Sequence, residues 1–433
     1  ADDMGLGKTL EMISFISSIK EEKPILIISP KSLVYNWENE FKKWKSDDKV
    51  KVIHGDRDVR RQTILNIKND KKVCYVTAYD SLRNDVDLYK DINFNLIVLD
   101  EAQYIKNARA LKTRAIKELK SESRFVLTGT PIENSLTDMW SIFDFLMPGY
   151  LLSHDKFKTT FENAIMNQKD DPLAEKRLKA RITPFILRRV KEDVLKDLPP
   201  KVTTNYLVEL NTTQNALYQS YIQNARISQA ENPDNKLSIL KELTRLRQIC
   251  IDPSMFLENY EDDSEKMLSA INLINEAIIN GHKVLLFSSF TKCLEHLRSY
   301  LLEDSIESYY ICGDTPAKER LRICEDFNTK PDIKVCLISL KAGGTGLNLT
   351  GADFIIHLDP WWNIAAENQA SDRAHRIGQT RPVTVMKLVA KGTIEEKVIE
   401  LQNKKKDLMD NFIGNGEKGA SFLSNDDIKF LLS

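Results

Sequence analysis

The sequence predicts an α/β protein built as two parallel-sheet lobes with helical insertions between them. Three observations predict it. Short apolar runs alternate with amphipathic helices up to about residue 135, a mainly helical pattern with few strand-like runs follows to about residue 280, and the strand-helix alternation then resumes. At 433 residues the chain is long enough for two or three domains with sizeable cores. The spacing divides it into a first lobe over 1–135, helical protrusions and a linker over 136–280, a second lobe over 281–392, and a C-terminal brace helix and tail over 393–433.

The first element is a turn followed by a helix. Ala1 to Thr9 reads Ala-Asp-Asp-Met-Gly-Leu-Gly-Lys-Thr, and Leu10, Ile13, Ile16 and Ile19 recur at helical spacing, so Thr9 opens a helix. Ile25 to Ser29, Val50 to His54, Val73 to Thr77, Leu96 to Asp100 and Arg124 to Thr128 read as strands, mostly too apolar to be edge strands with one wet face. Ser32 is placed to cap a helix carrying Leu33, Trp37, Phe41 and Trp44 on one side. Pro184, Pro199 and Pro200 punctuate the helical stretch, and Phe185 to Leu198 carries Arg188, Arg189, Lys191 and Lys196. Lys283 to Ser289, Ser308 to Cys312, Val335 to Ser339, Phe354 to Leu358 and Val383 to Leu388 form the second set of strands. Ile394, Val398 and Leu401 mark one further helix, and the basic run Lys404 to Lys406 reads as its solvated face.

The turn before Thr9 has the chemistry of a phosphate cradle. Gly5 and Gly7, with Leu6 between them, let backbone N–H groups point at phosphate oxygens, Lys8 brings a point charge, and the Thr9 hydroxyl suits magnesium. Asp2 stands where the strict pattern has glycine. Leu96 to Gln103 is an apolar strand ending in Asp100 and Glu101, which suits holding magnesium and activating water respectively. Together the two halves predict ATP and Mg2+ as the cofactors of an ATP-driven motor. In the second lobe, Arg373 and Arg376 lie three apart, which places both on one side of a helix turn, able to reach a transferring phosphoryl group or to pair with Glu367 or Asp372 on the surface.

Composition narrows the partners. Hydrophobic residues make up 42% of the chain, as in globular proteins. No apolar run approaches a membrane span, so no membrane partner is expected. The six cysteines show no metal-type spacing and read as buried thiols. A net charge of −1 means that any nucleic-acid contact comes from a local basic groove. Because the chain starts inside the phosphate loop, the strand feeding that loop is expected to be missing, leaving an unpaired gap near the middle of the first sheet and weak ATP binding by this piece alone.

Further blocks carry a specific resemblance. They are Pro30 to Trp37, Thr77 to Leu82, Asp100 to Gln103 with Ile105 to Asn107, Leu127 to Asn134, Leu246 to Cys250, Ala342 to Leu349, Asp359 to Asn363 and Gln369 to Gln379. In this order, and with the phosphate loop, the chain resembles the ATPase core of the Swi/Snf family within helicase-like superfamily two over nearly its whole length. The resemblance implies two RecA-like lobes. It implies catalytic roles for Lys8, Asp100, Glu101, Arg373 and Arg376, nucleotide contacts from Gly5 to Thr9, Gln103, Gly346 and Gln369, and metal contacts from Thr9 and Asp100. It implies coupling of hydrolysis to lobe movement by Thr128, Gly129 and Thr130. For DNA it implies Lys31, Tyr79, Ser81, Ser288, Thr315, Thr345, Asn348 and Trp362, small polar, basic or aromatic groups suited to phosphate and sugar contacts. Of the pair Trp361 and Trp362, one is expected buried and one exposed, and Ile364 replaces the family's usual proline.

The implied activity is ATP-dependent translocation along double-stranded DNA without strand separation, by a monomeric motor core that remodels or displaces DNA-bound protein cargo. The alternatives are a strand-separating RNA or DNA helicase of the same superfamily, and a nucleotide-gated scaffold. The compact stretch between the lobes points to a bacterial source, and so to the cytoplasm and nucleoid, or to the nucleus in a eukaryote.

Overall fold

The computed structural model describes the chain except residues 45–48, 72, 130–135, 167–170, 172, 232–234, 261, 345 and 416–424, and it describes no side chains over 405–426 or at Met166, Lys236 and Leu237. Two compact units result, the first comprising Ala1–Lys196 with Leu408–Gly419 and the second Asp197–Asp407 with Ala420–Ser433.

The first unit contains a five-stranded sheet of β1 (Ile25–Ser29), β2 (Lys49–Val52), β3 (Val73–Ala78), β4 (Asn93–Asp100) and β5 (Lys120–Leu127), in the order β2-β3-β1-β4-β5. All its pairings are parallel. Alternate residues of β1 point to opposite faces. Leu26 and Ile28 join one core with Tyr75, Ile97 and Leu99, while Ile25 and Ile27 join another with Cys74, Val76, Trp37 and Phe41. Both faces are thus covered by helices, which is why the central strands read as unbroken apolar runs.

The expected gap in this sheet is absent. Asp100 pairs with Leu127 and Val98 with Phe125, so β5 satisfies the edge of β4 directly. A parallel edge left open beside β4 would strand its N–H and C=O groups, and the pairing with β5 removes that cost. Ser32 does not act as a cap either. It sits inside a 3-10 turn, Lys31–Leu33, with Leu33 N–H donating to Pro30 O at 2.8 Å, and the helix Val34–Lys43 continues from it.

The second unit holds a six-stranded parallel sheet: β6 (Lys201–Val208), β7 (Val284–Ser288), β8 (Ser308–Ile311), β9 (Val335–Ser339), β10 (Phe354–His357) and β11 (Val383–Ala390), in the order β6-β11-β10-β7-β9-β8. Its inner strands again divide their side chains between two cores, Leu286, Leu337 and Ile356 in one, Leu285, Phe287, Ile338 and Ile355 in the other. The boundary expected near residue 281 is corrected by β6, which lies within the stretch read as helical and pairs with β11 from Lys201–Val383 to Val208–Ala390. Most of β6 is exposed, so its polar run Lys-Val-Thr-Thr-Asn carries no buried-strand signature.

Helices Thr212–Glu231 and Lys236–Ile251 pack with Ile394, Val398, Ile428 and Leu431 in a satellite core of the same unit. Beneath it, Lys266 and Glu395 form a fully buried ion pair. Lys404 pairs with Glu400 on the exposed face of the helix Ile394–Asn415, whereas the side chains of Lys405 and Lys406 lie outside the described residues.

Candidate functional site

In the first unit the helix Lys8–Ser18 begins directly after Gly7, whose φ of 86° lies in the left-handed region, as does that of Gly5 at 87°. These two turns need glycine, and they bring the chain back so that Lys8 Nζ donates to the carbonyls of Asp2 (2.6 Å) and Asp3 (3.1 Å). Lys8 is pulled below the ordinary lysine value by burial, against the opposing charges of Glu101 and Asp100.

Asp100 ends β4, and its Oδ2 accepts the indole N–H of Trp37 at 2.9 Å. Burial, then the neighbouring Glu101 charge, pushes the Asp100 carboxyl up to about 7, against the Trp37 hydrogen bond and Lys8. Glu101 itself takes φ 54°, an uncommon conformation for a residue with a side chain, and it turns the chain out of the strand. Its Oε2 accepts Gln103 Nε2 at 2.9 Å, and Gln103 Oε1 in turn accepts the Thr128 hydroxyl at 3.4 Å. Gly129 lies so close that an added Cβ would stand 3.1 Å from the Met4 side chain and 3.9 Å from Lys8 Nζ. The residue after β5 is therefore tied to the Glu101 carboxylate through one relay of side chains. Thr130 lies outside the described residues. Beside Lys8 opens a mostly apolar cavity of about 340 Å³ walled by Met12, Phe15, Phe125, Leu127 and Phe143.

A carboxylate whose charge is disfavoured by its enclosure and by Glu101, against hydrogen bonds from the Trp37 indole and the Glu101 backbone N–H, fits a hard divalent cation. Magnesium typically takes one or two carboxylates and completes its shell with hydroxyl, water and phosphate oxygens, so Asp100 and Thr9 would suffice.

In the second unit the helix Ile364–Ser371 ends before the two arginines. Arg373 and Arg376 sit on the successive turns that follow, with Arg373 N–H on Ala370 O and Gln379 N–H on Arg376 O, which corrects the expectation of a shared helix turn. Arg373 is buried, donating from Nε to Gly343 O (3.0 Å) and from Nη2 to Gly344 O (2.9 Å). Arg376 is only partly buried and reaches Leu347 O at 3.5 Å. Glu367 and Asp372, the alternative partners, are engaged by Lys387 and Lys201. The arginine segment is thus docked on the loop from Ala342 to Leu349, where Gly346 takes φ 51° and Gln369 Oε1 lies 3.2 Å from the place a Gly344 Cβ would occupy. Gln379, given no role by the sequence, pins the segment by donating to the carbonyls of Thr350, Ala352 and Ala374.

The residues expected to face DNA divide. Lys31 and Asn348 are exposed, Ser81, Thr315 and Trp362 partly so, and Thr345 lies outside the described residues. Thr315 spends its hydroxyl on Cys312 N–H at 3.0 Å. Tyr79 and Ser288 are corrections. Both are buried, Tyr79 donating its hydroxyl to Asp100 O (2.8 Å) and stacking on Tyr104, and Ser288 donating to Asp359 Oδ1 (2.7 Å). They support the strand ends rather than a surface. Trp361 and Trp362 are both partly buried, against the expectation of one in and one out, because Arg247 lies 4.7 Å from each ring and draws both toward it. Arg247 also pairs with the fully buried Asp359 and reaches Ser289 Oγ at 3.1 Å.

Comparison with known proteins bears on this geometry. The SNF2-related domain matches residues 1–255, more than half of the chain, and the helicase conserved C-terminal domain matches residues 265–378. The chain belongs to the SNF2-related family. An uncharacterized ATP-dependent helicase of Mycoplasma genitalium is 40% identical over 415 residues, covering 94% of this chain and 39% of that protein. The mouse SWI/SNF-related matrix-associated actin-dependent regulator of chromatin subfamily A member 1 is 35% identical over 421 residues, covering 92% of this chain and 40% of that one. The solved Sulfolobus solfataricus SWI2/SNF2 ATPase core in complex with dsDNA is 37% identical, with 100% of this chain and 91% of that chain covered and a TM-score of 0.46. This SNF2-related chain therefore spans about two-fifths of the length of those first two relatives. Among its described residues no helix is long and apolar enough to cross a membrane.

Proposed function

We propose that this SNF2-related chain is the motor core of an ATP-dependent double-stranded DNA translocase, which hydrolyses ATP with residues of both lobes and moves along duplex DNA without separating its strands. The observation that carries the ATP-hydrolysing part of the reading is Lys8, partly buried at the end of a glycine turn and under the opposing charges of Glu101 and Asp100. Lys8 and the loop N–H groups bind and orient the triphosphate, Glu101, fixed by Gln103, takes the proton of the attacking water, and Thr128 carries the altered state of Glu101 into β5. Magnesium, when bound, would neutralise phosphate charge at Asp100 and Thr9. Arg373 and Arg376 stabilise the charge of the transferring phosphoryl group in the nucleotide-closed form, the reopening of which moves the DNA grip by one step. Lys31, Asn348 and Trp362 provide that grip through backbone contacts that read no sequence.

The mouse relative is named as a regulator of chromatin, which supports action on protein-bound DNA, and here we infer displacement of DNA-bound protein by a monomeric core, in the bacterial cytoplasm or a eukaryotic nucleus. The test is the ATPase rate of the full-length protein with duplex DNA, single-stranded DNA and RNA side by side. Stimulation by duplex DNA that is lost in Lys8→Ala, with DNA affinity retained, is expected. Preferential stimulation by RNA together with loss of base pairing would move the assignment to a strand-separating helicase.

A further inference from the structure

The segment Phe185 to Leu198 carries basic residues that the proposed chemistry leaves unused, and the structure places one of them on the phosphate loop. Arg189 N–H and Arg189 Nε each donate to the Asp2 carboxylate at 2.9 Å, and its Nη2 contacts both Asp2 and Glu11. Asp3 N–H donates to Arg189 O at 3.0 Å, and Lys191 N–H donates to the Asp3 carboxylate at 3.2 Å. The side chains of Asp2 and Asp3 are thus held from outside the loop while their carbonyls hold Lys8 from within.

This arrangement accounts for an anomaly of the sequence. Asp2 occupies a position where the strict phosphate-loop pattern has glycine, and it is 2% exposed. An unpaired carboxylate there would repel a triphosphate and compete for Lys8, since like charges close together in a water-poor site interact strongly. We infer that Arg189 is a positioning residue for nucleotide, which turns the Asp2 carboxylate away from the phosphate cradle and neutralises it, so that a loop with an aspartate in place of glycine still binds ATP. The inference rests on the proposed role of Lys8.

The experiment measures KM and kcat for ATP with duplex DNA, and the affinity for a fluorescent ADP, in the full-length protein and its variants. Arg189→Ala is expected to raise KM and the ADP dissociation constant by about tenfold or more while kcat stays within about threefold and DNA affinity is unchanged. Arg189→Lys, which keeps the charge, falls between. Asp2→Asn in the Arg189→Ala background restores most of the lost affinity, an outcome that a merely structural role would not produce. Unchanged KM in Arg189→Ala, a fall in kcat alone, or no rescue by Asp2→Asn overturns the inference. Any of these with an inactive Lys8→Ala leaves the proposed function standing, whereas an active Lys8→Ala removes both.

Discussion

Replacing Arg247 by alanine probes how the loop of Trp361 and Trp362 is held. Arg247 is 2% exposed and the side chain of its partner Asp359 is fully buried, so removing the cation strands a carboxylate away from water. Such a loss costs about 3–5 kcal/mol. Asp359 keeps donors from Ser288 Oγ at 2.7 Å and Ser289 N–H at 3.0 Å, which places the expected loss near the low end. The contacts with Phe290, Trp361 and Trp362, at 5.0, 4.7 and 4.7 Å, add their own share when desolvated, about 0.5–2 kcal/mol each before compensation by repacking. An expected destabilisation of at least about 4 kcal/mol follows for the second lobe. Hydrogen exchange of the β7 and β10 amides reports the opening of that lobe by itself. The companion Asp359→Ala variant and the double variant complete a cycle, in which the double loss is expected to fall short of the sum by about 2 kcal/mol. A loss below about 1 kcal/mol in Arg247→Ala, or strict additivity in the cycle, would mean that the Arg247–Asp359 pair does not hold this loop.

Three further outcomes follow from single contacts. Trp37→Phe removes the indole donor on Asp100, worth about 1–2 kcal/mol to the ionised carboxylate, so kcat at saturating ATP and magnesium should fall roughly tenfold with folding intact by circular dichroism. Gly343→Ala places a Cβ 2.7 Å from the buried Phe287 ring, and a cost of about 1–3 kcal/mol should lower the melting temperature of the second lobe by several degrees. His357 is pushed down to about 3 by burial first and then by the Lys387 charge. Its unfolded form takes up a proton near pH 6.5 and its folded form does not, so stability is complete above that pH and falls by up to about 1.4 kcal/mol per unit as pH drops toward 3. Urea titrations between pH 5 and 7.5 should show a shallower slope in His357→Gln than in the parent.

What could be read in the sequence was whatever leaves a local trace. The strands β1, β3, β7 and β9 are buried along their whole lengths and appear as apolar runs, so the two parallel sheets were legible. β6 was not, because an exposed edge strand has no apolar face to announce it. Lys8 and the pair Asp100 and Glu101 were legible because glycines and a strand end mark them locally. Trp37 on Asp100 and Arg247 on Asp359 join positions 63 and 112 residues apart, and nothing local in the chain announces such pairings. Tyr79 and Ser288 illustrate the opposite error, since a hydroxyl at a strand end looks the same in sequence whether it meets a phosphate or a buried acceptor. The turn geometry of Arg373 and Arg376 was hidden for a related reason. The helix ahead of them stops at Ser371 without a glycine or proline, and Gln379 holds the turns through distant carbonyls.

If hydrolysis draws on groups from both lobes, turnover depends on Arg376 as well as on Lys8. Steady-state ATP hydrolysis is measured with saturating duplex DNA for the parent protein and Arg376→Ala, with nucleotide and DNA affinities determined in parallel. A drop of about a thousandfold in turnover, with both affinities retained, is the expected result. Turnover by Arg376→Ala at the parent rate would contradict the account.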